Sequence, residues 1–222
     1  MRLKWVAKGA GLGDEFAPQP YEQLAIVLRK MGYVADARRV LFEKEKRLKQ
    51  VERGRIWGQG HGLLRWGQIP IHWGLDKLQR VVVGYGYKPW RSFWCLVGLI
   101  MIAAGVFGGA CQAGDFAPNA AVILTTPEWQ ALAEDGEVSN PAKEWSSETG
   151  KGRDYETFNA FAYAADVVIP IIPLGQEKAW APSATRGKWG WVAWWARWVF
   201  QFAGWVVTAL GAAAITGIMR KD

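Results

Sequence analysis

Residues 92–113 read SFWCLVGLIMIAAGVFGGACQA, and no Asp, Glu, Lys or Arg falls between Arg91 and Asp115. Such a run is about 22 residues long, and roughly 20 apolar residues in a helix cross the ~30 Å of hydrocarbon in a bilayer. A soluble protein would have to cover this helix on every side, and a chain of 222 residues has little to do so with. Residues 92–113 therefore read as a first transmembrane helix. Lys88, Trp90, Arg91 and Trp94 stand at its leading edge, the cations and aromatic rings expected where lipid meets water.

Outward from this stretch, a second apolar block occupies 189–219. Phe200 to Met219 runs about 20 residues without a formal charge and meets Arg220 and Lys221, which open the tail 220–222. Ahead of and inside it, Trp191, Trp194, Trp195, Trp198, Phe202 and Trp205 recur at the spacing of one helical face, an aromatic belt. Fifteen Trp in the whole chain fit that setting better than they fit a soluble domain of this size. Arg197 lies off the stripe, placed to snorkel to the outer headgroups or to mark a polar pathway. Both spans carry small residues four apart, Gly105 and Gly109 in the first, Thr208, Ala212 and Thr216 in the second. Small side chains let helix backbones approach in lipid, so the two spans pack on each other or the chain forms a homo-oligomer.

Charge orders the rest. Residues 1–91 hold 18 Lys and Arg against 8 Asp and Glu, a net of +10, whereas residues 112–188 hold 6 against 11, a net of −5. Lys77, Arg80, Lys88 and Arg91 precede the first span and none follows it before Lys143, so the basic side reads as cytoplasmic. The expected topology is a multi-pass protein of the cell (inner) membrane with both termini cytoplasmic. In it, 1–91 is a basic cytoplasmic domain and 114–188 an acidic outer loop. Met1 to Gly13 lacks the apolar core of a secretion signal, so the first span is expected to act as its own uncleaved signal. Cys95 and Cys111, about 24 Å apart along one helix, are too far apart for a disulfide.

Within the basic domain, 20–50 reads as a helical hairpin. Tyr21, Leu24, Ala25 and Leu28 share one face of a first helix, Gly32 breaks it, and Ala37, Val40 and Leu41 face inward from a second helix, Val34–Gln50. Tyr21, Leu24, Ala25, Leu28, Gly32, Ala37 and Leu41 carry a resemblance to a tetratricopeptide-type hairpin, although Lys44 and Lys49 replace that pattern's later small residue and terminal proline. One such hairpin cannot bury its apolar face alone. It is expected to dock on Trp57, Trp66 and Trp73, or to cap a longer array continuing upstream. Tyr21, Leu24, Leu28 and Leu41 are the candidates for a partner surface. More broadly, Tyr21–Arg39, Gly84–Trp90 and Tyr163–Trp180 resemble carboxyl-terminal membrane domains of uncharacterised bacterial proteins, some with pentapeptide-like repeats. That resemblance implies an anchoring or assembling role and no catalytic residues.

The segment 51–75, rich in Gly, Trp and Arg, shows no clear period. Its cations suit anionic inner-leaflet lipids at about 1 kcal/mol each. Nucleic acid ranks lower, because the topology already explains the charge and no nucleic-acid-binding motif is present. In the outer loop, Glu128–Asp154 reads as a solvated, mobile excursion. Residues 157–169 read as an amphipathic helix lying on the outer leaflet or on the spans. Phe158, Phe161, Ala162, Ala165, Val168 and Ile169 form its apolar face, with Asn159, Tyr163 and Asp166 off it, and Pro170 and Pro173 after it. The alternative is a re-entrant element, 157–174, lining a pore with Asp166 as its ionisable group.

Chemistry finds no foothold. His61 and His72 match no zinc spacing, GYGYKP lacks the phosphate-loop pattern, and no nucleophile elbow occurs. Gly84 and Gly86 read as a loosening of the backbone before Pro89 starts the first span. No cofactor or catalytic site is expected. The sequence thus predicts a mainly α, two-span membrane protein serving as a non-enzymatic anchor for a cytoplasmic protein partner; the alternative function is a subunit of a small oligomeric channel or transporter.

Overall fold

The structure, a computed structural model, describes residues 16–58, 63–147, 149–169, 171 and 173–217, the side chains of 53–72 excepted. It is mainly helical, and the chain divides into two compact units, one formed by the part up to Arg91 together with the part from Leu210 onward, the other by Ser92–Ala209.

In the first unit, α1 (Gln19–Lys30) and α2 (Val34–Gly58) form the expected hairpin. Glu22 in the first turn of α1 and Arg29 and Lys30 in its last complement the helix dipole. Gly32, at φ +82°, turns the chain, and Tyr33 N–H donates to the Leu28 carbonyl at 2.8 Å. Tyr21, Ala25 and Leu28 bury against Ala37, Val40 and Leu41. The helix α2 runs past its expected end at Gln50 because good helix formers continue, with Lys46–Glu43 and Lys49–Glu52 pairs at 3.3 and 3.0 Å. Lys44, standing where the resembled pattern has a small residue, is 5 % exposed and reaches Glu22 of α1 at 3.0 Å.

The stretch that seemed to lack a period is largely helical too, as α3 (Leu63–Val82). Leu64, Ile71, Leu75, Leu78 and Val82 do recur at helical spacing. Gly67, Pro70 and Gly74 hid them, since Gly and Pro disfavour a helix interior by about 1 and 3 kcal/mol. The following turn carries three successive left-handed residues, Gly84 (φ +54°), Tyr85 (+56°) and Gly86 (+83°). It does more than loosen the backbone. Tyr85 and Tyr87 complete the hairpin's core, and the Tyr85 hydroxyl donates to buried Asp76 at 2.9 Å. These tyrosines take the covering role expected of the tryptophans: Trp73 is exposed, and the side chains of Trp57 and Trp66 lie outside those described.

The second unit holds most of two long helices, α4 (Trp90–Gln112) and α10 (Lys188–Ile215), with mean hydropathies of 2.1 and 1.6 over their most apolar windows. Both are long and apolar enough to cross a membrane, and only 22 % of each window is covered by protein. Met219, Arg220 and Lys221, at the expected inner end of the second span, lie outside the described residues.

Between them the described chain is folded. Strand β1 (Phe116–Pro118) pairs antiparallel with β2 (Trp180–Pro182), Ala117 opposite Ala181. The acidic stretch supplies α6 (Pro127–Glu134) and α7 (Pro141–Trp145), preceded by the short α5 (Ala121–Leu124). Thr126 and Asn140 cap α6 and α7. Trp129, Ala142 and Trp145 bury, and edge-on ring contacts of 5.9, 5.2 and 5.4 Å chain Trp129 to Trp145, Tyr155 and Trp180. Charge composition concealed these aromatic anchors. Two further short helices, α8 (Ala160–Val168) and α9 (Gln176–Ala179), build the site described next.

Candidate functional site

The expected amphipathic helix forms as α8, shortened to Ala160–Val168, with the Asn159 side chain accepting from the Phe161 and Ala162 amides at 3.0 Å each. Its buried face matches the predicted one only in part: Val168 is buried and Phe158 packs against the core, as expected. Tyr163, Ala164, Asp166, Val167 and Val168 turn inward, whereas Phe161 is 57 % exposed. Both sides of this helix are apolar, so hydrophobicity could not choose between them. Ring packing chose: Tyr163 meets Phe107 at 4.9 Å and Phe116 at 5.3 Å, both edge-on.

The direction of α8 follows from two close approaches. A β-carbon added at Gly108 would meet the Ala160 β-carbon at 3.4 Å, and one at Gly204 would fall on the Val168 carbonyl oxygen. The end of α4 and the start of α10 are tied together, because the Asp115 carboxylate accepts from the Gly190 amide at 2.8 Å. Gly108 lies about 6 Å from the end of α4, and Gly204 about 21 Å past Gly190, at about 1.5 Å per residue. The difference of about 15 Å matches the ~13.5 Å length of a nine-residue helix. Thus α8 runs lengthwise along α4 and α10 and does not lie across their ends, as a helix on the outer leaflet would. The chain then returns through Leu174 and Gly175 (φ +90°) to α9.

The polar residues singled out from the sequence converge on this return. Asp166 accepts from the Leu174 amide through Oδ1 and from the Glu177 amide through Oδ2, each at 2.8 Å. Arg197 does not reach away to headgroups; its Nε and Nη2 donate to Glu177 Oε1 at 2.9 and 2.6 Å. Gln176 locks the two legs of the segment, donating to Glu156 Oε1 and the Thr157 carbonyl and accepting from the Asn159 amide, all at 2.9 Å. The Tyr163 hydroxyl is buried beside this cluster with no hydrogen-bond partner among the described residues. Sequence reading missed Glu156, Gln176 and Glu177, because partners about 20 residues apart in a loop leave no local pattern.

Near the strand pair, Arg186 donates to the Phe116 carbonyl at 3.4 Å. The Arg186 guanidinium lies over the Trp129 ring at 5.0 Å; burial lowers its pKa while the Asp115 carboxylate opposes the shift.

The small-residue faces also differ from expectation. The buried side of α4 is Ala103, Ala104, Phe107 and Ala110, whereas Gly105 and Gly109 are exposed with open space around them. On α10 the buried residues are Gly190, Ala193, Gly204, Val207, Gly211 and Ala214; Ala212 is exposed, and Thr208 is half-buried with its hydroxyl unpartnered among the described residues. Nor are the hairpin's candidate residues a surface. Tyr21, Leu28 and Leu41 are buried in its own core and Leu24 packs against it, because a two-helix unit uses its best apolar side chains internally. Exposed instead are Ile26, Val27, Met31, Tyr33 and Val34. The side chains of His61 and His72 lie outside those described. No family, curated protein or solved structure matches the chain in comparison with known proteins.

Proposed function

We propose that the chain is a non-enzymatic membrane anchor and assembly module that presents its helical hairpin to a protein partner at the cytoplasmic face of a bacterial inner membrane. The observation that carries this reading is the closure of the hairpin's core by Tyr85 and Tyr87, immediately before α4 begins at Trp90. A hairpin completed from within needs no further repeat, so its exposed apolar residues are available to a partner. Lipid covers what protein leaves bare on α4 and α10, including Trp195, Trp198, Phe202 and Trp205. The net charge of +10 over residues 1–91 favours the anionic inner leaflet. The grouping of the part from Leu210 with the part up to Arg91 in one unit supports both ends lying on that side. The open Gly105–Gly109 face supports homo-oligomerisation.

The test is photo-crosslinking in intact membranes from probes placed at Val27 and Met31, with Lys46 as the control. A discrete heterologous adduct from the first two positions and none from the third is expected. Equal adducts from all three, or recovery of the chain from the aqueous fraction, would end this reading.

A channel or transport subunit is the second reading, favoured by the unpartnered Tyr163 hydroxyl beside Asp166, Glu177 and Arg197. Against it, Asp166 already holds two amides and Arg197 is paired. Ion flux in liposomes that Asp166→Ala abolishes would favour the pore; no flux from a verified oligomer favours the anchor.

A further inference from the structure

Beside the last turn of α4 lies a cavity of about 570 Å³, within the range of small-molecule sites. Gly108, Phe158, Ala160 and Trp180 are among its apolar lining residues, and Gln112, Ser139, Lys143 and Thr157 among its polar ones. The two groups have different internal commitments. Asn140 and Ser146, which also line the space, are engaged: Asn140 caps the Lys143 amide and donates to the Cys111 carbonyl, and the Ser146 hydroxyl donates to the Ala142 carbonyl. The side chains of Gln112, Ser139, Lys143 and Thr157 make no hydrogen bond or ion pair with the described residues. Lys143 is the one charged residue in the lining.

The lining thus combines one cation, two hydroxyls and an amide with two aromatic rings. The cation complements an acid group, and the aromatic rings complement a hydrocarbon chain. We propose that this cavity binds an anionic amphiphile, with its carboxylate or phosphate ester at Lys143 and its apolar part against Phe158 and Trp180. The site adjoins the end of a helix apolar enough to cross a membrane, so an acidic lipid of the surrounding leaflet and a soluble amphiphilic acid share the required chemistry. Gly108 keeps the floor open, since the Ala160 methyl already lies 3.4 Å from where its β-carbon would stand.

Cys111 lines the same cavity and serves as a native reporter. The experiment uses the full chain with Cys95→Ser, in phosphatidylcholine nanodiscs, and follows the rate at which a maleimide alkylates Cys111. Decanoate at about ten times its dissociation constant should leave roughly a tenth of the sites free and slow labelling about tenfold. Decanol at the same concentration should not protect. The Lys143 charge acts on the Cys111 thiol, so each variant is compared with its own unprotected rate: Lys143→Gln should lose the protection, whereas Lys143→Arg should retain it. Replacing part of the phosphatidylcholine by phosphatidylglycerol separates the sources: protection there without decanoate identifies the lipid, and protection by decanoate alone identifies a soluble acid. Equal protection by decanol, protection that survives Lys143→Gln, or no protection in either arm would overturn the proposal. None of these outcomes depends on whether the hairpin finds a partner.

Discussion

Replacing Gly204 by Ala tests whether α8 truly lies along α10. The added β-carbon would fall on the Val168 carbonyl oxygen, 2.8 Å from the carbonyl carbon and 3.1 Å from its α-carbon. The three nearest atoms are all backbone, so no side-chain rotation relieves the clash and α8 must shift bodily. That shift would disturb Tyr163, Ala164, Val167 and Val168, each at most 1 % exposed. Overpacking of this kind costs about 1–3 kcal/mol, and a rigid obstacle belongs at the upper end. Ala is preferred over Gly in a helix by about 1 kcal/mol, which offsets part of it and leaves a net loss of about 2 kcal/mol. At about 2–4 °C per kcal/mol for a chain of this length, the midpoint should fall by roughly 4–8 °C. Gly105→Ala is the matched control: nothing lies within 4 Å of its β-carbon, so it should be neutral or slightly stabilising. Thermal unfolding in detergent, followed by near-ultraviolet circular dichroism, measures both. A Gly204→Ala protein as stable as the parent would refute the placement of α8, and an equal loss in both variants would show that the effect is not local.

Two further expectations concern charge. Arg197→Met should destabilise by ~1–2 kcal/mol because it leaves the half-buried Glu177 without its partner, and adding Glu177→Met should restore most of that loss; additive effects in the double-mutant cycle would show that the pair does not interact. For Lys44, burial pulls the pKa down, but the Glu22 and Glu45 carboxylates outweigh it and hold the ammonium above its ordinary 10.5. A pKa raised by folding contributes stability that is complete below pH 10.5 and drains as pH climbs through the folded value. Lys44→Met should therefore flatten the alkaline limb of a pH titration followed by helical circular dichroism, and superposable limbs would remove Lys44 from that account.

How much of this was legible in advance varied with the range of the interaction. The hairpin residues Tyr21, Ala25, Leu28, Ala37 and Leu41 announced themselves through spacing, and all five form its core. The partner role assigned to three of its residues failed for the same reason, since periodicity finds the buried face and not the surface left over. Helix α3 was written in the sequence but obscured by Gly67, Pro70 and Gly74, whose residue types disfavour a helix interior.

The sequence by itself determined two helices apolar and long enough to cross a bilayer, a helical hairpin before them and an asymmetric distribution of charge. Those properties depend on composition and on periods of a few residues, which any linear reading contains. Only the tertiary structure decided that α8 lies along the long helices with Tyr163 inward, that Asp166 holds backbone amides, and that Arg197 meets Glu177. The physical reason is that an apolar helix with two usable faces takes its orientation from what it packs on. Likewise, a buried charge takes its partner from whichever residue the folded chain brings within hydrogen-bond distance.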